Sequence, residues 1–81
     1  MLYKVPLILF PQPEGGFTVT SPLLPELITE GDSADEALAN ARDALAAVIE
    51  IYEDTGRQLP PSIQQPVIDG PVWVETLLGA P

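Results

Sequence analysis

TEGDSADEALANARDAL, from Thr29 to Leu45, holds a glycine, a run of acids and the opening of a periodic segment. Ala34, Ala37, Leu38, Ala41, Leu45, Val48, Ile49 and Tyr52 recur at spacings of three and four, which makes one apolar stripe on a helix. Ser33 followed three residues later by Glu36 has the form of a capping box, in which each side chain satisfies a backbone N–H near the helix start. Asp32 and Asp35 add negative charge where the helix dipole is positive. Gly56 is placed to end the helix. The spacing therefore predicts a helix over 34–55, roughly 33 Å long at 1.5 Å per residue.

Capping accounts for Asp32, Ser33 and Glu36 without a metal. A calcium loop of the EF-hand type places glycine sixth and glutamate twelfth. Counted from Asp32, those positions hold Ala37 and Asp43. No metal and no cofactor are expected.

Outward from the helix, Tyr3, Val5, Leu7 and Leu9 alternate with Lys4, Pro6, Ile8 and Phe10, the pattern of a strand with one inward face. Pro11 to Gly16 reads as a hairpin connection whose glycines are free to adopt positive φ. Phe17 to Thr20 is a second strand, and Pro22 and Pro25 bracket a turn before a third over 26–30. Beyond the helix, Leu59-Pro60-Pro61-Ser62 and Gln64-Gln65-Pro66 form a proline-rich connector, followed by a fourth strand over 72–77. The expectation is a single α+β domain, 1–81, with element order β-β-β-α-β. One long helix covers one face of a mixed four-stranded sheet in the order 3-2-1-4. A right-handed crossover would make strand four parallel to strand one. Pro6, which lacks an N–H, then sits uncomfortably in an interior strand.

Composition narrows the function. Twelve acids face three bases, Lys4, Arg42 and Arg57, for a net charge of −9. That balance argues against direct nucleic-acid binding, which requires a basic footprint. There is no cysteine and no histidine, so thiolate sites, disulfides and a serine–histidine arrangement are excluded. Strand-borne acids are few, and an enzyme is not expected. No apolar run reaches membrane-spanning length, the N-terminus lacks a signal-peptide pattern, and the expected location is the cytoplasm.

One feature does not follow from stability. Glu50 has Glu53 and Asp54 at i+3 and i+4, an unfavourable like-charge spacing, and all three lie at the negative end of the helix dipole. They form either an ordinary solvated face or a docking surface for a cationic partner, with Arg57 in position to offset one charge.

The order of several short motifs resembles the N-terminal domain of HicB-type antitoxins. They are Glu14-Gly15-Gly16-Phe17, Pro22-Leu23-Leu24-Pro25, Thr29-Glu30-Gly31-Asp32, Ser33-Ala34-Asp35-Glu36-Ala37, Asn40-Ala41-Arg42-Asp43-Ala44-Leu45 and Leu59-Pro60-Pro61-Ser62. The resemblance covers about residues 1–62 and departs from the family pattern at Leu23 and at Glu26, where a glycine after the turn proline is common. Family members typically continue into a DNA-binding domain, which is not expected here, so operator binding is not carried over. The resemblance implies a partial RNase H-like fold and neutralisation of a small, basic HicA-type mRNA interferase, whose RNA-binding face carboxylates would block. Glu50, Glu53 and Asp54, with Glu14, Glu26 and Glu30 as further candidates, would meet that partner. The alternative is an orphan HicB-like domain with a homo-oligomeric or regulatory role and no toxin partner.

One helix leaves the second sheet face uncovered. Ile8 and Phe10 fall on that face, and strand four adds Val72, Trp73 and Val74. An exposed apolar patch on a small domain marks an interface, so a homodimer or tetramer is expected there. The competing placement packs Trp73 on its own connector.

Overall fold

The computed structural model describes residues 2–65 and 70–80. Its elements in chain order are β1 (Leu2–Tyr3), β2 (Ile8–Pro11), β3 (Phe17–Thr20), β4 (Ile28–Gly31), α1 (Ala34–Asp54), a 3-10 turn (Pro61–Ile63) and β5 (Gln64–Gln65). β2, β3 and β4 form an antiparallel sheet in that order, and β1 pairs antiparallel with β5.

The alternation in the N-terminal segment sorts its side chains as expected. Tyr3, Val5, Leu7 and Leu9 pack against the core, while Ile8 and Phe10 face outward. The segment is nevertheless two strands and not one. Lys4 to Leu7 leave the ladder, and Pro6, with no N–H to contribute, lies exposed in that interruption.

The Gln12–Gly15 turn is closed by the Gly15 N–H on the Gln12 carbonyl at 3.0 Å. It sets Leu9 opposite Val19 and Phe10 opposite Thr18. The second hairpin turns at Leu24-Pro25-Glu26-Leu27, where the Leu27 N–H donates to the Leu24 carbonyl at 2.9 Å. No non-glycine residue among those described has positive φ, so Glu26 is accommodated without a left-handed backbone. This turn takes residues 26 and 27 that were expected in the third strand, which begins instead at Ile28.

α1 packs its stripe on the sheet, with Ala37, Ala41, Val48 and Tyr52 buried. Val19, Leu24, Leu27 and Ile63 complete the core. Each fully buried Leu or Ile side chain stabilises the fold by about 1.5–3 kcal/mol. The Ser33 hydroxyl accepts the Glu36 N–H at 3.1 Å, and the Glu36 carboxylate accepts the Asp32 N–H at 3.1 Å. The return bond thus lands one residue before the capping residue. At the other end, Gly56 (φ +70) donates to the Glu53 carbonyl and Arg57 to the Tyr52 carbonyl, the paired bonds of a Schellman motif.

The expected fourth strand over 72–77 is not formed, and residues 71–80 carry no regular structure. The sheet edge is taken earlier in the chain. Pro60 and Pro61 set a 3-10 turn that drives Ile63 into the core. The Ile63 carbonyl accepts the Lys4 N–H at 2.8 Å, which places Gln64 and Gln65 against β1. All strand pairing among the described residues is antiparallel, so the mixed sheet and its parallel crossover are not observed. The connector residue Pro66 lies outside the described residues.

Gly31 fixes the helix position. It is buried, and a Cβ there would lie 2.6 Å from the Ala37 Cα, inside the backbone of α1. A Cβ on Gly16 would lie 2.6 Å from the Gly31 carbonyl oxygen. Gly31→Ala should therefore cost at least about 3 kcal/mol, at the upper end of overpacking penalties because the obstacle is backbone. Gly15→Ala meets nothing within 4 Å but keeps φ at +102°, a strain of roughly 1–2 kcal/mol. Urea titrations of the two variants check this order, and equal losses would remove the steric argument.

Candidate protein-binding surface

The residues singled out in the sequence fall into three groups. The first is the C-terminal end of α1, where Glu50, Glu53 and Asp54 are all exposed and the last turn contains no basic residue. Arg57 does not relieve them. Its guanidinium pairs with Glu26 at 2.8 Å and lies 4.2 Å from the centre of the Tyr52 ring. The Tyr52 hydroxyl donates to the other Glu26 oxygen at 2.9 Å.

Glu26, Tyr52 and Arg57 thus close a latch between the turn before β4 and the end of α1. Glu26 is committed to it and is not a free carboxylate. Its own backbone N–H, then Arg57 and Tyr52, hold its carboxyl below the usual range. The Glu26 carboxylate, followed by burial, raises the Tyr52 hydroxyl above its ordinary value. Sequence reasoning missed this latch, although a signal was present. Gly56 at the helix stop makes Arg57 the next residue, and that position folds back toward the one occupied by Tyr52.

The second group lies near the start of α1. Glu30, Asp32 and Glu36 line a cleft of about 260 Å³ with Gln12 and Asn40. Glu14 is exposed on the hairpin turn, beside Gly15 of the same cleft. Asn40 donates to the Glu30 carbonyl at 2.7 Å and ties the helix to β4. Along α1, Glu36 of this group and Glu50 of the first are roughly 20 Å apart at 1.5 Å per residue. The structure does not bring the six candidate acids together. Among the described residues no set of three or more acids is arranged to hold a metal ion, and no helix is long and apolar enough to cross a membrane.

The third group is the outer sheet face. The register aligns Ile8 with Thr20 and Thr20 with Ile28, and Phe10 with Thr18 and Thr18 with Glu30. Ile8, Phe10 and Ile28 are 43%, 47% and 66% exposed. Val72, Trp73 and Val74 are exposed too, but they belong to no strand and do not extend this face by pairing.

Stability should report the latch. The lowered Glu26 carboxyl contributes stability that is present above its ordinary value of 4.5 and lost as pH falls through the folded value. The raised Tyr52 hydroxyl contributes stability present below 10.0 and lost as pH rises through its folded value. Glu26→Gln should be less stable than wild type at neutral pH, and the two stability curves should converge in acid. Tyr52→Phe should flatten the alkaline arm. Denaturation midpoints across pH test both effects, and parallel curves would exclude the latch.

Comparison with known proteins gives a consistent result. Residues 5–72 match the family described as HicB_like antitoxin of bacterial toxin-antitoxin system. The chain is 38% identical over 73 residues to "Antitoxin HicB 1" of Photorhabdus laumondii, covering 88% of this chain and 47% of that protein. It is 35% identical over 57 residues to "Antitoxin HicB" of Escherichia coli K12, covering 70% and 41%. "Antitoxin HicB 2" of Photorhabdus laumondii is 38% identical over 66 residues, covering 82% and 45%. The chain spans about half the length of the curated relatives it matches.

Proposed function

Because the chain belongs to the HicB-like antitoxin family, we propose that it is a non-enzymatic binding module that neutralises a toxin by protein–protein contact. The partner is a small, basic HicA-type mRNA interferase in the cytoplasm. The observation that supports this reading is the acidic end of α1. Glu50, Glu53 and Asp54 are exposed, repel one another and receive no salt bridge among the described residues, since Arg57 is engaged elsewhere. Such a cluster steers a cationic partner to the surface. Glu14 and Glu30 at the opposite end serve as a second set of contacts. In this reading the three-stranded sheet and α1 form the centre of a partial RNase H-like fold. The open face bearing Ile8, Phe10 and Ile28 supports a homodimer, or a tetramer built from two.

Co-expression with a small basic reading frame adjacent to the gene, where the gene's neighbourhood holds one, followed by co-purification and a growth-rescue assay, tests the function. Failure to bind or rescue leaves the orphan regulatory role in its place. Glu50→Gln, Glu53→Gln and Asp54→Asn together should slow toxin association by about tenfold at low salt, the lower end of electrostatic steering. Dissociation should change little, and the free protein should be equally or slightly more stable because the repulsion is relieved. An unchanged association rate would exclude this cluster from the interface. For the homodimer, Phe10→Glu should give a folded monomer by light scattering at micromolar concentration, and a monomeric wild type would refute it.

A further inference from the structure

An apolar groove of about 870 Å³ lies between the Tyr3–Leu7 segment and the middle of α1. Val5, Leu7, Leu38 and Leu45 line it, together with Lys4 and Arg42. Those are two of the three bases in a chain of net charge −9, and the third is paired with Glu26. Neither Lys4 nor Arg42 forms a salt bridge among the described residues. Apolar walls with two unpaired cations suit a ligand that is apolar along its length and bears carboxylates, the opposite of what the acidic helix end would attract.

The chain supplies an example of that chemistry. Trp73, Val74, Glu75 and Thr76 line the same groove without pairing to any strand. A Cβ on Gly79 would lie 3.4 Å from the Asp35 carboxylate, so the segment runs along α1 toward its N-terminus. It fills the groove poorly. Trp73 and Val74 remain 86% and 70% exposed, and Glu75 makes no salt bridge with the nearby cations.

We propose that this groove is a docking site for an extended, apolar, carboxylate-bearing peptide segment of a partner, and that Trp73–Thr76 is a displaceable strap over it. The site does not depend on the acidic helix end or on toxin binding. A partner segment gains what the strap leaves unmade, namely burial against Leu38 and Leu45 and charge pairing with Lys4 and Arg42.

The test uses the full chain and a fluorescein-labelled peptide with the sequence of residues 71–80, followed by fluorescence anisotropy. Trp73→Ser with Val74→Ser should weaken the strap by removing the apolar side chains it lays on the groove, without disturbing the core, to which neither residue belongs. A strap that fills the groove nine-tenths of the time lowers apparent affinity about tenfold, so the double variant should bind the peptide tighter by about that factor. Peptide carrying Glu75→Gln, and protein carrying Arg42→Glu, should each bind more weakly. Circular dichroism verifies the helix, with Arg42→Gln as the milder variant should Arg42→Glu unfold. Equal affinity of wild type and double variant, indifference to both charge changes, or no binding would overturn the proposal. Displacement of the peptide by laurate as readily as by unlabelled peptide would also overturn it, in favour of a long-chain carboxylate.

Discussion

The contact between Gly31 and the backbone of α1 at Ala37 sets the distance between the two layers of this fold. Only Asp32 and Ser33 separate β4 from α1, so the helix must turn back over the strand within its first turns. It can do so because Gly31 presents no side chain and Ala37 presents the smallest one that still favours a helix. Gly16 extends the same constraint across the sheet, since its missing Cβ leaves room for the Gly31 carbonyl. A close approach at this end lets short residues, Ala37 and Ala41, be fully used as core. Farther along the helix the buried positions are taken by the larger side chains Val48 and Tyr52.

The far end of α1 is held by polar contacts instead. Gly56 reverses the chain, and Arg57 lands over Tyr52 and against Glu26. This latch ties the helix end to the turn before β4 and so closes a loop of contacts that began at Gly31. It also consumes the one base near the helix terminus. The latch and the bare acidic cluster are therefore linked: an Arg57 directed at Glu53 or Asp54 would neutralise the surface but free the turn.

The helix, its cap and its stop were legible because they rest on local rules: spacing of three and four, a serine before the first turn, a glycine after the last. The inward and outward faces of Tyr3 to Phe10 were legible for the same reason. What was not legible required knowledge of distant partners. Val72 to Leu77 has strong strand character, yet Gln64 and Gln65, with almost none, take the edge, because Ile63 is anchored in the core and carries its neighbours to β1. Glu26 looked like a surface acid until Tyr52 and Arg57 were found beside it. The role of Gly31 was hidden in a motif, since only the crossing helix reveals why a Cβ is forbidden there.

The charge distribution follows from these constraints more than from composition. A net charge of −9 spread evenly would repel anions everywhere and attract any cation weakly. Instead, the latch pairs one acid with one base, which leaves, among the described residues, uncompensated carboxylates at the end of α1 and two bases without an ion pair on an apolar groove along its side. Surfaces of opposite preference on one helix can be occupied together, since a ligand in the groove need not touch Glu50, Glu53 or Asp54. The rigid element joining them is pinned at Gly31 and at Arg57, so binding at either place requires no rearrangement of the core. In the proposed reading, a domain this small offers two recognition surfaces because its helix is fixed by a steric contact at one end and an ion pair at the other, leaving the side chains between them and beyond them free for contact.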